Sequence, residues 1–424
     1  MPGDVAREVE AVWRIEGARI VAALARMTGD LGLAEDVAQD AVAEALRSWP
    51  EQGVPRNAGA WLTAVAKRRA VDAWRRRGRL DERHALIARE LSESTETEWE
   101  PIEDDLLRLV FTACHPVLSR ESQIALTLRV VGGLTSQEIA RMLLVPVATV
   151  QARITRAKKT IAAAGVPFVA PDPSEWQARL AGVLGVVYLV FTEGYASTAG
   201  ERGTRPDLAD EALRLGRVLV GLVPNEPEAH ALLALMEFQR SRFAARESAR
   251  GEAVLLADQD RSRWDRGQIA RGSTSLREAE QRARRRGRAL GPYGLQAAIA
   301  ECHCRAASVA DTDWERIVLL YEALGRLAPN PMVELGRAAA VSMATGPANA
   351  LRLVDEIAAT GRLRGSPALP EVRGELLARL GRHDEALREF EAAIALTGNE
   401  AQRLVLERKI AAVAARPEVE EDAV

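Results

Sequence analysis

The stretch LTSQEIARMLLVPVATVQARITRAKKTI, residues 134–161, decides the fold of the chain's first half. Ile139, Ala140 and Leu143 recur at helical spacing, Val145-Pro146 interrupts the pattern, and Val150, Ile154, Ala157 and Ile161 resume it. Thr135 or Ser136 is placed to cap the first helix, with Glu138 in its first turn. The second helix turns Thr149, Gln151, Arg153, Thr155, Arg156, Lys158 and Lys159 outward. This is a helix-turn-helix pattern. Side chains at the front of such a second helix enter a major groove, where Arg forks onto guanine and Gln onto adenine, while a basic tail holds phosphates. An ordinary helical hairpin with a charged outer face fits the same stretch, so the surrounding chain has to decide.

With 424 residues the chain exceeds one ordinary core, and two or three domains are expected. Ala, Leu, Arg and Glu dominate, aromatic residues make up 4%, and apolar positions recur at helical spacing, so the predicted fold class is all-α. The longest nearly uncharged apolar run, Leu180 to Thr192, is too short to span a bilayer, and the charged opening Met1 to Glu10 has no signal-peptide character. A cytoplasmic protein without membrane contact is expected. Cys114, Cys302 and Cys304 make no disulfide framework; Cys302-His303-Cys304 and Cys114-His115 lack paired CxxC spacing, so no metal is expected. No phosphate loop, nucleophile elbow or HExxH pattern is present, which argues against an enzyme and calls for no cofactor.

The net charge of −3 conceals segregated blocks. Val12, Ile15, Ala18, Ile20 and Leu24 predict one helix, and Leu33 to Leu46, opening on Glu35 and Asp36, a second. SWPEQGVPRN (48–57) reads as a loop. Asn57 then caps a third helix with Trp61, Leu62, Val65, Ala66, Val71 and Trp74 as its apolar face. Its far end carries seven positive charges in thirteen residues: Lys67, Arg68, Arg69, Arg75, Arg76, Arg77 and Arg79. Residues 81–105 reverse the sign with ten acids and read as a flexible linker. Order resumes at Leu106, with two helices broken near His115-Pro116 before the helix-turn-helix.

Three of these segments resemble, in order, parts of bacterial RNA polymerase sigma factors of the extracytoplasmic-function group. LAEDVAQDAVAEALRSW is similar to the segment that docks on polymerase, NAGAWLTAVAKRRAVDAWRRRGR to the promoter-opening helix, and residues 134–161 to the helix-turn-helix. The resemblance covers about the first 165 residues and implies modules at 1–79 and 106–165 joined by the linker 80–105. It implies that Glu35, Asp36, Gln39 and Asp40 meet the β′ clamp helices of core RNA polymerase, with the β flap a further contact, and charge complementarity would steer that encounter. Trp49, Asn57 and Trp61 would hold a flipped base of the −10 element, since a separated base needs a stacking surface. Lys67, Arg68, Arg69, Arg75 and Arg76 would grip the −10 backbone, in a salt-dependent manner. Gln151, Ala152, Thr155 and Arg156 match positions facing −35 bases; Thr149 lies beside them, and Ser136, Arg153, Lys158 and Lys159 suit phosphates. Ala152 departs from the commoner small polar residue. The acidic linker would either imitate nascent RNA in the exit channel or only space the modules. A conventional helix-turn-helix regulator is the alternative, and it has no need of residues 11–79.

Residues 166–424 exceed what promoter recognition requires. DEALREFEAAIALTG (384–398) sets Ala386, Phe390 and Ala393 at tetratricopeptide spacing, with Gly374 twelve residues before Ala386. Similar offsets recur at Ile317, Tyr321, Leu324 and Pro329, and at Ala212, Gly216, Leu219 and Pro224. A degenerate array of helical pairs is predicted, and such arrays bind peptides or other protein elements. This half resembles the tetratricopeptide-like C-terminal extension of a sigma-factor subgroup, which implies contacts with the promoter-binding modules or with an unknown protein partner. Within it, Asp258, Asp260, Arg261, Arg263, Trp264 and Asp265 form a candidate interdomain or ligand site, or else a set of structural ion pairs.

Overall fold

The computed structural model describes residues 2–76, 103–143, 145–195, 206–246, 254, 256–398 and 400–415. Every regular element among them is helical, as expected of an all-α chain. Two compact units divide at Met1–Val190 and Phe191–Val424. The expected boundary at Gly165 falls short of this division. The Trp176 ring packs tilted against Phe111, with centroids 5.2 Å apart, and Arg179 Nη2 donates to the Phe111 carbonyl at 3.1 Å. Residues past Gly165 thus complete the first core.

The first unit opens with α1 (Pro2–Thr28), α2 (Leu31–Gln52) and α3 (Ala58–Arg76). On α1 the buried stripe is Val9, Trp13, Gly17, Ile20 and Leu24, whereas Ile15 is 69% exposed. The expected register of that helix is therefore corrected. The indole of Trp13 takes the inward position, and Gly17 leaves room for it, since a Cβ there would lie 2.8 Å from the ring. Gly29, at φ 65, ends α1, and Asp30 caps α2 by accepting from Leu33 N at 3.0 Å. The loop expected over 48–57 is shorter. Helix α2 runs on through Pro50 and ends at Gly53, whose φ of 81 suits a residue without a Cβ and whose N–H reaches Trp49 O at 2.9 Å. The unit continues with α4 (Glu103–Ala113), α5 (Arg120–Val130), α6 (Ser136–Leu143) and α7 (Val147–Ala163), then enters α8 (Trp176–Tyr195).

The second unit contains α9 (Pro206–Leu222), α10 (Pro227–Arg240), α11 (Arg266–Arg285), α12 (Pro292–Arg305), α13 (Trp314–Leu327), α14 (Pro331–Ala344), α15 (Pro347–Ala359), α16 (Ala368–Arg379), α17 (His383–Leu396) and α18 (Glu400–Ala414). Helices adjacent in sequence pack together, as in a stack of hairpins. The α16/α17 pair has the predicted contact: Ala386, Phe390 and Ala393 are buried, and a Cβ on Gly374 would lie 2.8 Å from the Phe390 ring. Helices α13 and α14 run antiparallel, since Glu322 meets Arg337 and Gly325 meets Glu334. Tyr321 there packs on Gly336 of the following helix, so the large residue stands on the first helix of its pair. One buried cluster joins Leu335 and Ala338 of α14 to Ala350, Leu376, Phe390 and Leu406 further along, so each pair covers its neighbour's apolar face.

Candidate nucleic-acid interface

Helices α6 and α7 form the predicted helix-turn-helix. Thr135 is the cap: its Oγ1 accepts from Glu138 N at 3.1 Å, while Glu138 Oε2 accepts from Thr135 N at 2.7 Å. This reciprocal box satisfies two donors that the first helical turn leaves without partners. Burial would raise the Glu138 carboxyl, but the bonds from Thr135 and the charge of Arg14 hold it below the ordinary value. Val150, Ile154, Ala157 and Ile161 are buried on the inner face of α7, and Gln151, Ala152, Thr155, Arg156 and Lys159 are exposed on the outer. Ser136, Thr149 and Arg153 are half-buried. A helix presented in this way offers one amide, one guanidinium and one ammonium to a polyanion or a base edge.

Lys158 is placed differently. Its Nζ donates to Glu35 Oε2 and to Asp36 Oδ1, the latter at 3.1 Å, leaving the side chain 17% exposed. Glu35, expected on the docking surface, is buried and also accepts from Arg129 Nε at 2.8 Å. Burial alone would raise its carboxyl; Arg129 and Lys158 more than offset this and hold it below the usual carboxylate range. Glu35 and Lys158 thus face each other rather than open solvent, because opposite charges largely removed from water attract more strongly than they would in it. Asp36 and Asp40 stay exposed, Gln39 is half-buried, and Asp40 lies 3.5 Å from Arg69.

Around the expected −10 segment, Asn57 caps α3 by accepting from Ala60 N at 3.0 Å, and Trp61 is half-buried. Trp49 is 1% exposed and stands edge-on to Trp61, with centroids 5.3 Å apart. Base stacking by Trp49 is therefore corrected: its ring is core, held there by the continuation of α2. Arg68 is exposed, and Arg69 is tied to Glu44 at 2.8 Å. Lys67 is half-buried, and burial and then Arg26 lower its ammonium's affinity for a proton. Arg75 and Arg76 lie on the last turn of α3 with side chains outside the described residues, as are Arg77, Arg79 and most of the acidic linker. Its last member, Asp105, belongs to α4 and is buried, 2.9 Å from Arg108.

The candidate cluster of the second unit is a structural corner. Asp260 accepts from Ser262 N at 2.9 Å, and Asp265 caps α11 by accepting from Gln268 N at 2.9 Å. Arg261 is buried, donating to the carbonyls of His303 and Ala306 at 2.9 Å each and to Thr312 Oγ1 at 3.2 Å. Its guanidinium lies 5.1 Å from the buried Trp264 ring, while Asp258 and Arg263 face solvent. These contacts pin the entry of α11 to the end of α12. All three cysteines are buried and free, and burial pushes the Cys114 thiol up to about 11. Among the described residues no group of His, Cys, Asp and Glu could hold a metal, and no helix is long and apolar enough to cross a membrane. Sequence reasoning missed Arg14, Arg26 and Arg129, which pair with Glu138, Asp105 and Glu35. No local pattern marks such distant partners.

Comparison with known proteins agrees with the helix-turn-helix and with the module before it. Residues 14–80 match Sigma-70 region 2, residues 108–161 match Sigma-70 region 4, and residues 179–280 match a family of unknown function, DUF6596. The uncharacterized protein R00370 of Rhizobium meliloti (strain 1021) is 43% identical over 407 residues, covering 93% of each chain. Among solved structures, yeast Tom70 covers 99% of this chain and 87% of its own at 12% identity and a TM-score of 0.37, too low to carry an argument. With regions 2 and 4 both present in order, the second of them built as a helix-turn-helix, the chain belongs to the sigma-70 family of sigma factors.

Proposed function

We propose that this chain is a transcription initiation factor of the extracytoplasmic-function group, which binds core RNA polymerase and directs it to promoters with −35 and −10 elements. The observation that carries the reading is the outer face of α7. Gln151, Thr155, Arg156 and Lys159 are exposed together above a fully apolar inner face, in the segment matched by region 4. Arg156 and Gln151 have the fork and amide that read guanine and adenine, and Lys159 suits a phosphate. In region 2, exposed Asp36 and Asp40 supply the acidic front for polymerase, Trp61 takes over base stacking from Trp49, and Arg68 meets the −10 backbone. The helical pairs of the second unit control access to polymerase or DNA, by contact with these modules or by recruiting a protein partner.

Run-off transcription tests this. Purified core polymerase and the full-length chain are added to a promoter library, and the transcripts are sequenced. Defined start sites sharing two upstream elements are expected. No transcripts, combined with specific binding of duplex DNA by the chain alone, would establish a conventional regulator instead.

A further inference from the structure

The corner where α10 ends, α11 begins and α12 ends gathers more positive charge than its structural bonds require. Arg242, just past α10, is 6% exposed, and Arg261, shortly before α11, is 7% exposed. Their guanidiniums lie 5.9 and 5.1 Å from the centroid of one ring, the indole of Trp264. Arg261 donates to the carbonyls of His303 and Ala306 and to the hydroxyl of Thr312, and Arg242 donates to the amide oxygen of Gln239. All four oxygens are neutral. The acids that neighbour Arg261 in sequence cap backbone instead: Asp260 accepts from Ser262 N, and Asp265 from Gln268 N.

Two further groups belong to the same corner. Trp264 is 2% exposed, and its Nε1–H has no acceptor among the described residues. The Nδ1 of His303, on the last turn of α12, is likewise buried without a partner. That imidazole stands edge-on to Trp314, with centroids 5.3 Å apart. Burial first, and then the charges of Arg242 and Arg261, push it down to about 4, so the ring is neutral and within electrostatic reach of both guanidiniums.

A buried donor without an acceptor is costly, and protein interiors seldom contain one. A water molecule answers the indole and the imidazole but leaves the two guanidinium charges as they are. An anion answers both, since it accepts from the N–H groups and offsets the charge. The planar guanidinium fork and the single indole N–H are directional donors, which suit the oxygens of a carboxylate or phosphate.

We propose that this corner of the second unit binds a small oxyanion, the carboxylate or phosphate group of a ligand, held by Arg242, the Trp264 N–H and His303 in the field of Arg261. Such a group ties together the end of α10, the entry of α11 and the last turn of α12. Arg242, Arg261 and Trp264 fall within residues 179–280, matched by DUF6596, so the site gives that segment a ligand class. Neither region 2 nor region 4 contributes a residue to it, and its test involves no polymerase.

The full chain is prepared with 15N-labelled tryptophan, and its eight indole N–H signals are followed as sodium phosphate, or in a second series sodium acetate, replaces sodium chloride at constant ionic strength. Trp264→Phe removes the N–H, keeps a ring and identifies the Trp264 signal. That signal is expected to move downfield and saturate in at least one series, while the other indoles stay in place, and His303 is expected to titrate at a higher pH than in chloride. His303→Leu is expected to weaken the saturating anion by roughly 10-fold or more, as loss of a bond to a charged group does. Saturation by phosphate alone supports a phosphate ligand, by acetate alone a carboxylate, and by both an oxyanion of either kind. A Trp264 signal that stays still in both series, or shifts no more than the other indoles, overturns the site, and so does unchanged binding in His303→Leu. Arg242→Lys, which keeps the charge and loses the fork, serves where Trp264→Phe does not fold: it moves the same signal and weakens the anion if the site exists, and unchanged binding there overturns the proposal.

Discussion

At the scale of single residues, Arg156 and Glu35 behave as opposites. Arg156 is exposed on the outer face of α7, so its replacement is expected to leave folding alone. Arg156→Ala is expected to reduce discrimination among −35 sequences by about 1–3 kcal/mol and to shift stability by less than about 0.5 kcal/mol. Binding to a panel of −35 variants, together with a thermal melt, checks both. Glu35 is the reverse case. Its carboxyl is held below the ordinary 4.5 by Arg129 and Lys158 against the cost of burial. The stabilisation it provides is present above that ordinary value and lost as pH falls through the lower folded-state value. Urea unfolding at neutral pH and at successively lower pH is expected to show this loss in the wild type and its absence in Glu35→Gln.

At the scale of elements, α2 shows how one large side chain overrides local punctuation. Pro50 and the polar run after it argue for a loop, since proline in a helix costs a hydrogen bond. Trp49, one residue earlier, is fully buried against Trp61, and that burial holds the last turn in place. Trp49→Ala is therefore expected to cost about 3–5 kcal/mol of stability, as for a large aromatic removed from a core. Trp61→Ala, at a half-buried site, costs less in the same thermal melt and lowers promoter opening instead. Equal losses of stability for the two would show that both rings are core. The same override moved the stripe of α1: its apolar residues permit two registers, and packing by Trp13 over Gly17 selects the one that leaves Ile15 in water. Short-range contacts were easier to foresee. The capping box of α6, the Asn57 cap and the Gly374–Phe390 contact all lie within one element or one hairpin.

At the scale of the whole molecule, the first compact unit extends to Val190 and contains both sigma regions. A chain ending at Gly165 lacks the Trp176 ring on Phe111 and the Arg179 bond to its carbonyl. A chain ending at Tyr195 retains both. The longer truncation is expected to melt several degrees higher, since a packed aromatic pair contributes about 0.5–1.5 kcal/mol beyond its area and each kcal/mol shifts the midpoint of a domain this size by about 2–4 °C. Identical melting of the two would exclude a structural role for the start of α8. Transcription by the longer one, compared with the full chain, then reports on the second unit without the confounding loss of a core contact.

The sequence by itself determined the helical class, the helix-turn-helix with its exposed Gln151, Thr155 and Arg156, and the last repeat of the second unit. Each of these depends on a period of three or four residues, or on a cap within one turn, and such information is local. Only the tertiary structure decided that Trp49 is core, that Asp105 is a buried carboxylate paired with Arg26 and Arg108, and that Glu35 is paired with Arg129 and Lys158. Those partners stand 94 and 123 residues away from Glu35. A charged side chain looks the same in sequence whether it faces solvent, another macromolecule or its own chain; its role is set by which opposite charge the folded core brings within about 3 Å and how much water is then excluded.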